Sequence, residues 1–353
     1  MVLDNKRVLI TGGTGSLGKA LTRRVLSGEF GTPKKVIIFS RDEAKQHAMR
    51  MEYLHRRVAT DEVIYHNFEQ LLEFRIGDVR DYHSVAAALR AADIVFNAAA
   101  LKQVPSCEYF PYEAVRTNIE GAENIVRVIR ELALPVETVV GISTDKACKP
   151  VNVMGMTKAI QERVLLSANI TCPQTRFICV RYGNVLASRG SVIPLFHDQI
   201  RQGGPVTITT TEMTRFLLSL DDAVDVILAA VREARAGETF VPKAPAARIV
   251  DVAVALIGNR PIEVKIIGMR PGEKVHEILI SEEECHRSVE RGKFYAIRPI
   301  LPELDRDPGA KPAFETEYSS ALNLLSPKET RELLQRHHLL VEDGDINDGE
   351  LLR

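Results

Sequence analysis

The sequence carries no excess of either charge. Its 353 residues include 46 lysines and arginines against 47 aspartates and glutamates, which gives a formal net charge of -1 at pH 7. Surfaces that bind nucleic acids or anionic membranes need clustered basic residues, and the chain has no long basic run. The sequence therefore argues against a nucleic-acid partner and against an anionic-membrane surface.

Cysteine is scarce and dispersed. The five cysteines form no CxxC pair and are Cys107, Cys148, Cys172, Cys179 and Cys285. An odd number of scattered cysteines suits neither a disulfide framework nor a zinc site. We expect no metal site and a reducing, cytoplasmic location.

Long hydrophobic runs are missing as well. A helix that spans a bilayer needs about 18 consecutive apolar residues, and no window of the sequence approaches that length. The first apolar run is too short for a signal peptide and leads straight into a glycine loop. We therefore expect a soluble protein without membrane insertion.

The first half of the chain alternates short β-branched runs with helical patterns, which is typical of a parallel sheet covered on both faces. The fold class expected is α/β, a Rossmann-type doubly wound parallel sheet with a smaller C-terminal substrate-binding lobe. Ligands in such sheets bind at the carboxyl ends of the strands. The predicted strands lie near Arg7–Thr11, Lys35–Ser40, Glu73–Gly77, Asp93–Asn97, Val136–Ser143 and Arg176–Arg181.

A glycine loop, TGGTGSLG, follows the first predicted strand and precedes a helix. Glycine allows the backbone to turn tightly and to approach a pyrophosphate, which then lies on the helix N-terminus. We predict dinucleotide binding here, the alternative being a plain strand-to-helix turn. The predicted cofactor residues of this loop are Gly12, Thr14, Gly15, Ser16, Leu17 and Gly18.

The end of the second strand bears on the choice of dinucleotide. An acidic residue there normally binds the ribose 2′-hydroxyl of NAD, whereas a nearby arginine accommodates the 2′-phosphate of NADP. Ser40, Arg41 and Lys45 offer a hydroxyl and two cations, so the sequence favours NADP, with NAD possible. In the alternative interpretation Asp42 is simply the acidic N-terminal residue of a solvated helix.

Further cofactor contacts are predicted after the third and fourth strands. Asp78 and Val79 would flank the adenine, while Ala98 and Ala99 let a cofactor lie against the backbone. Lys102 follows them in a loop, where it would bind phosphate, take part in catalysis or simply be solvated. The insertion DEVIYHNFEQ, within 52–72, has no assigned role.

The stretch STDKACKPVNVMGMTK, residues 143–158, holds the expected chemistry. Asp145 and Lys146 place an acid beside a base at a strand end, after Thr144, which is a further predicted cofactor residue. Met154 and Lys158 share one stripe of the following helix, and Met156, Ile160 and Val164 are predicted to form its packing face.

Beyond residue 184 the alternation weakens. We predict a cofactor-binding domain at 1–184, a mainly substrate-binding lobe at 185–325 and a C-terminal helix with an acidic tail at 326–353. Arg215 and Arg270 would bind an anionic ligand through their planar forks, the alternative being surface ion pairs. The remaining predicted helices lie at Tyr112–Leu132, at Ser219–Arg235 and at Val250–Ile257. The last two are expected to lie against the first domain. A final helix is predicted from Ser326, which begins a capping box.

Taken together, the motifs resemble one family over nearly the whole chain. GGTGSLG, FSRDEAKQ, GDVRD, AAALKQVP, TNIEGAEN, STDKA, RYGNV, MTRF and RPGEKVHE occur in the order seen in soluble UDP-N-acetylglucosamine 4,6-dehydratases. These are extended short-chain dehydrogenase/reductases that serve pseudaminic-acid or capsule biosynthesis. The usual tyrosine of that superfamily is replaced here by Met154.

The resemblance implies a reaction and residue roles. It implies a dehydration with inversion at carbon 5, in which Lys146 is the base and Asp145 the acid. Lys146 must then be neutral part of the time, which burial beside Lys158 and the nicotinamide charge are expected to promote. Lys158 would bind the nicotinamide ribose, and the implied substrate residues are Lys102, Asn184, Arg215, Arg270 and Glu273.

Several alternatives stay open at this point. Lys158, Asp145 or a water held by Thr144 would take the proton of the 4-hydroxyl, since methionine is unable to do so. The product could retain its configuration at carbon 5, and the substrate could be GDP-linked. A catalytically silent NADP-binding protein and a 4-epimerase are further alternatives, and the resemblance also implies a homo-oligomer, a dimer or larger.

Overall fold

The computed structural model of the protein describes residues 1–55, 71–186 and 191–341. The predicted insertion and the acidic tail lie outside these residues. The described strands are β1 Arg7–Thr11, β2 Lys35–Ser40, β3 Leu72–Ile76, β4 Ile94–Asn97, β5 Thr138–Ile142, β6 Arg176–Val180, β7 Asn184–Val185, β8 Val206–Ile208, β9 Thr214–Leu218, β10 Thr239–Pro242, β11 Ala246–Arg248, β12 Val264–Ile266, β13 Ile278–Ile280, β14 Ser288–Arg291, β15 Phe294–Ile297 and β16 Tyr318–Ser319.

The helices alternate with these strands through the first half of the chain. The described α-helices are α1 Ser16–Leu26, α2 Glu43–His55, α3 Tyr82–Leu89, α4 Val104–Tyr109, α5 Pro111–Ala114, α6 Gly121–Glu131, α7 Val153–Thr171, α8 Val192–Arg201, α9 Leu220–Glu233, α10 Ile249–Ile257, α11 Glu282–Cys285 and α12 Pro327–Arg336. A π-helical turn, Val115–Glu120, joins α5 to α6, so the predicted helix at Tyr112–Leu132 is nearly continuous.

The main sheet contains nine strands of the described chain, in the order β14-β15-β10-β6-β5-β4-β1-β2-β3. All neighbours from β10 to β3 are parallel, and β14 and β15 are antiparallel at one edge. The strand order reverses between β1 and β4, which is where doubly wound sheets bind ligands. The predicted Rossmann-type fold class is confirmed, as are the six predicted strands.

The sheet is buried on both faces because its strands are apolar at successive positions. Val8 and Ile10 of β1 pack under α1 and α9, whereas Leu9 between them packs under α3, α6 and α7. The expectation that the helix near Ser219–Arg235 lies against the first domain is therefore confirmed by α9.

A smaller apolar core lies outside the main sheet. It joins α8, α10 and α12, with Phe196, Val252 and Leu334 fully buried in it. The prediction that the Val250–Ile257 helix packs on the first domain is therefore wrong, because its apolar face meets α8 and α12. The helix predicted from Ser326 is confirmed, and Ser326 and Glu329 form the expected capping box.

The division of the chain at residue 184 stays a prediction. Strands β10, β14 and β15 come from the later part of the chain yet extend the main sheet. The second part of the chain is thus interleaved with the first, which holds the loops at the sheet's carboxyl edge in a fixed arrangement.

No helix of the described residues is long and apolar enough to cross a membrane.

Candidate active site

The glycine loop and the ends of four strands enclose a cavity of about 610 Å³ at the switch point of the sheet. All the predicted cofactor residues line it except Thr144 and Lys158. Those in the wall are Gly12, Thr14, Gly15, Ser16, Leu17, Gly18, Ser40, Arg41, Asp42, Lys45, Asp78, Val79, Ala98, Ala99 and Lys102. Lys19, Phe39, Ala48 and Thr117 also line the cavity and were missed, because side-chain direction at these positions has no signature in the sequence.

The loop itself is shaped by close backbone contacts. Gly12 has a φ of +64°, and a Cβ there would lie 2.9 Å from the Cα of Ala99. Gly15 is the N-cap of α1 and offers no side-chain cap, so the first N–H groups of this helix are left for a ligand. The buried Thr117 hydroxyl has no hydrogen-bond partner among the described residues. These features fit a dinucleotide, with its pyrophosphate at the start of α1.

The polar side chains at the end of β2 differ in whether they are already bonded within the protein. Asp42 accepts a hydrogen bond from the backbone N–H of Lys45 at 2.9 Å and also contacts its ammonium, so it caps α2. Arg41 is exposed and lies 3.7 Å from Asp78. The Ser40 hydroxyl accepts from the side chain of Gln46 at 3.1 Å. The carboxylate of Asp42 is thus already engaged, while Arg41 stands at the rim of the cavity.

Asp145 and Lys146 lie on a short 3₁₀ turn directly after β5. Asp145 is fully buried, and its Oδ1 accepts from the Lys146 ammonium and from the Thr144 hydroxyl, both at 2.9 Å. The other oxygen, Oδ2, has no hydrogen-bond partner in the described chain. A buried carboxylate with one open oxygen is suited to exchange a proton with a ligand.

Glu277 completes this cluster and was missed by the sequence reasoning. Its Oε1 lies 3.6 Å from the Lys146 ammonium and 3.8 Å from the Arg215 Nε, and its Oε2 has no partner in the part of the chain described. Glu277 is the last residue of the RPGEKVHE motif, which was the available signal.

The charge of Lys146 differs from the expectation. Burial by itself lowers the pKa of Lys146, but the carboxylates of Asp145 and Glu277 outweigh burial and raise that pKa above its ordinary value. Burial alone therefore does not make Lys146 neutral in the resting arrangement, and the effect expected from the nicotinamide charge stays a prediction. Lys146 is an ammonium held between two carboxylates.

The C-terminal end of the 143–158 stretch, with Met154 and Lys158, lies on α7. The Lys158 ammonium donates to the Ile142 carbonyl at 2.5 Å and to the Gln161 side chain. Burial lowers the pKa of Lys158 to about 8. Met154 packs with Cys107 and Ala114 in a separate apolar cluster, so its side chain is part of the support of α4 and α5.

The predicted packing face of α7 is wrong at Met156 and Ile160, whereas Val164 does pack against an apolar core of the main sheet. Met156 and Ile160 are 47% and 48% exposed, and Val164 is half-buried. The buried face consists instead of Met154, Gly155, Thr157, Lys158, Gln161, Glu162, Leu165, Ala168 and Asn169. Many of these are polar because this face meets the active-site turn.

The predicted substrate residues lie on elements that surround the same turn. Arg215 is buried, and its guanidinium donates to the carbonyls of Thr214, Lys274 and Val275 at 2.7 to 3.1 Å. Asn184 stands on β7 with a buried side-chain oxygen that lacks a partner among the described residues. The guanidinium of Arg215 thus binds the backbone of residues 274–275. Pyrophosphate binding by Arg215 stays a prediction.

The loop that carries Arg270 and Glu273 docks on the start of α7. The Asn152 side chain donates to the Gly272 carbonyl at 2.8 Å, and Lys274 donates to the Cys148 carbonyl at 2.6 Å. Glu273 accepts from Thr209 at 3.2 Å, whereas Arg270 is exposed. Lys102 is likewise exposed, at the mouth of the dinucleotide cavity.

Known proteins are similar to this chain over most of its length. The chain is 42% identical over 309 residues to UDP-N-acetylglucosamine 4,6-dehydratase (inverting) of Campylobacter jejuni, which covers 87% of this chain and 86% of the relative. It is 45% identical over 298 residues to a UDP-glucose 4-epimerase of Rickettsia typhi, with 83% of each chain covered.

Solved structures show the same fold. Pen from Bacillus thuringiensis superposes with a TM-score of 0.84 at 36% identity, covering 96% of this chain and 100% of that one. The model of the polysaccharide biosynthesis protein family matches residues 8–299. The family resemblance inferred from the motifs is thus confirmed, and the chain belongs to the polysaccharide biosynthesis protein family.

Proposed function

We propose that the protein is a UDP-N-acetylglucosamine 4,6-dehydratase, a hydro-lyase that inverts the configuration at carbon 5. The observation that carries the proposal is the buried Asp145–Lys146 pair, closed by Glu277, at the end of β5. Elimination of water needs one base and one acid side by side, and a simple epimerisation needs neither at carbons 5 and 6.

One proton transfer within the pair gives Asp145 and Lys146 the protonation states that elimination requires. A shift of the proton from Lys146 to Asp145, across their 2.9 Å hydrogen bond, makes the amine neutral and the carboxyl protonated together. Lys146 then takes the proton of carbon 5, and Asp145 gives its proton to the departing 6-hydroxyl. Both groups return to their resting charges as water leaves.

The chain also has a site for the nicotinamide dinucleotide that oxidation at carbon 4 requires. A bound nicotinamide dinucleotide would accept hydride from carbon 4 and return it to carbon 6. Carbon 5 would then take a solvent-derived proton on the face opposite the base, which inverts its configuration. The glycine loop and α1 would bind its pyrophosphate, and the ends of β2 and β3 would bind its adenosine half. The 4-ketone so formed acidifies the proton on carbon 5, which is why oxidation precedes elimination.

We favour NADP as this dinucleotide, with NAD as the alternative, because Asp42 is engaged in capping α2. Arg41→Ala is expected to weaken NADP binding about tenfold, the usual cost of losing a charge-assisted hydrogen bond. NAD binding should change less than about twofold, and isothermal titration with each dinucleotide measures both. Arg50→Ala, an exposed arginine on α2, is the control. Equal losses for NAD and NADP would contradict the assignment.

The pKa of Lys158, about 8, gives a pH test for the 4-hydroxyl proton. Lys158 is neutral only above this pKa, so if it takes that proton the oxidation rate should rise about tenfold from pH 7 to 9. Single-turnover absorbance of the reduced nicotinamide measures this rate, and Lys158→Arg should remove the inflection. A flat wild-type profile would leave Asp145 or a water held by Thr144 as the acceptor.

We further propose a homo-oligomer in the cytoplasm, where the five free cysteines would stay reduced. Met156 and Ile160 on α7 and Phe110 and Tyr112 beside it expose large apolar areas. Ile160→Glu should therefore reduce the mass measured by light scattering to that of one chain. Val254→Glu, at an exposed valine on α10, should leave it unchanged. A monomeric wild-type protein would exclude the proposal.

One experiment tests the function itself. Incubation with UDP-N-acetylglucosamine in deuterated water should yield a 6-deoxy-4-keto sugar with deuterium and inverted configuration at carbon 5, as read by NMR. Retained configuration would indicate the retaining dehydratase, and turnover only with a GDP-linked sugar would change the nucleotide. Tight NADP binding without turnover of any of these sugars would indicate a silent protein.

A 4-epimerase is the second candidate, favoured by the name of the Rickettsia relative. The Asp145–Lys146 pair argues against it, because an epimerisation at carbon 4 needs no acid and base at carbons 5 and 6. An epimer that keeps its 6-hydroxyl in the same NMR experiment would establish the epimerase and exclude the dehydratase.

A further inference from the structure

A buried ion triad lies directly behind the active-site turn. Arg181, which is 3% exposed, forms a two-point contact with Glu162 at 2.7 and 3.0 Å and another with Glu284 at the same distances. It joins α7 to α11 at the end of β6. Neither the dinucleotide cavity nor the proton transfers described above involve these three side chains.

The triad is attached to both ends of the turn. The Ser143 hydroxyl donates to Glu162 at 2.5 Å, and the Cys148 thiol lies 3.7 Å from the Glu284 carboxylate. Ser143 and Cys148 flank the two residues proposed as acid and base. The position of the Asp145–Lys146 pair is therefore linked to the geometry of the triad from both sides.

Apolar packing does not fill the space behind the turn. A cavity of about 550 Å³ is lined there by Ala147, Cys148, Lys149 and Pro150, together with the three triad side chains. Part of the turn's rear surface therefore faces open space beside the charged groups of the triad. Two carboxylates on one guanidinium are costly to bury, so a structural role alone would be served better by apolar side chains.

We propose that Arg181, Glu162 and Glu284 are positioning residues for elimination, which hold Asp145 and Lys146 against carbons 5 and 6 of the substrate. This inference rests on the proposed dehydratase function. Arginine suits the task because its planar fork meets two carboxylates at once and fixes their relative orientation. A misplacement of about 1 Å is enough to cost roughly a hundredfold in rate.

Ser143→Ala is the primary test, since it removes the hydrogen bond between the turn and Glu162 and leaves the three charges intact. Glu284→Gln is the second variant, and it keeps the shape of the side chain. Ser167→Ala, at an exposed serine on α7 whose hydroxyl bonds only within the helix, is the matched control. Melting temperature and bound dinucleotide should be measured for each variant to confirm folding.

Both variants should lower kcat for dehydration by about 10- to 100-fold and leave KM within about twofold. Elimination needs Asp145 and Lys146 in place together, whereas oxidation at carbon 4 uses at most one group of the turn. Elimination should therefore slow more than oxidation, so reduced nicotinamide should accumulate on mixing with substrate, and deuterium incorporation at carbon 5 should slow. The control should match the wild-type protein in every measurement.

Three results would overturn the inference. If both folded variants keep kcat within about twofold, the triad does not position the turn. If oxidation and elimination fall together with the melting temperature, its role is structural only. If the wild-type protein gives no dehydrated product, the proposed function fails and this inference fails with it, which separates that outcome from the first two.

Discussion

Lys146→Ala is expected to reduce the dehydration rate by about 10²- to 10⁴-fold, the range typical of a lost general base. The ammonium also pairs with two buried carboxylates, so the variant removes this partner from both Asp145 and Glu277. Lys146→Met, which keeps more of the volume, should show the same loss. Product formation by NMR measures the rate, and circular dichroism checks the fold.

The reaction step that the Lys146 variants lose, oxidation or elimination, identifies the role of Lys146. If it is the base at carbon 5, the 4-ketone and the reduced nicotinamide should still form, and deuterium exchange at carbon 5 should stop. Lys149 is a surface lysine three residues after Lys146 and is paired with Glu317. The dehydration rate of Lys149→Ala should match that of the wild-type protein. Full dehydration by folded Lys146→Ala protein would remove this residue from the mechanism.

The cofactor half of the site was predictable because its residues follow local patterns. Each strand ends in a short motif, and parallel strands place those ends at one edge of the sheet. The glycine loop, the Ser40–Lys45 segment and the alanines after β4 therefore converge on one cavity. No long-range information is needed for that step.

The catalytic half was less predictable because it depends on contacts between distant segments. Glu277 reaches Lys146 only after the later part of the chain folds over the β5 turn. The adjacent Asp145 and this distant glutamate together raise the pKa of Lys146, so the local sequence contains only part of the cause. Helical periodicity separates the two faces of α7 but does not say which is buried, and here the face with the polar residues is inside.

The replacement of tyrosine by Met154 becomes clearer from its surroundings. The thioether fills a small cluster with Cys107 and Ala114 under the loop that carries Lys102. A methionine adapts well to such irregular apolar spaces. Position 154 thus supports the mouth of the cavity, and the proton chemistry lies at the Asp145–Lys146 end of the stretch.

Gly155→Ala is expected to lower kcat about a hundredfold, although position 155 bears no functional group. A Cβ there would overlap the carbonyl oxygen of Lys146 and lie 3.1 Å from its carbonyl carbon and 3.2 Å from the Pro150 Cβ. Because the obstacle is backbone, the start of α7 and the turn must move apart, which shifts Lys146 relative to the substrate.

The measurement is kcat for dehydration beside dinucleotide affinity, since the glycine loop is remote from this contact and affinity should stay within about twofold. Gly309→Ala is the matched control, as a Cβ at that glycine meets nothing within 4 Å. Wild-type kcat in folded Gly155→Ala protein would show that the turn tolerates displacement. Such tolerance would conflict with elimination by a fixed pair, because proton transfer at carbon 5 requires the Lys146 nitrogen within hydrogen-bond reach.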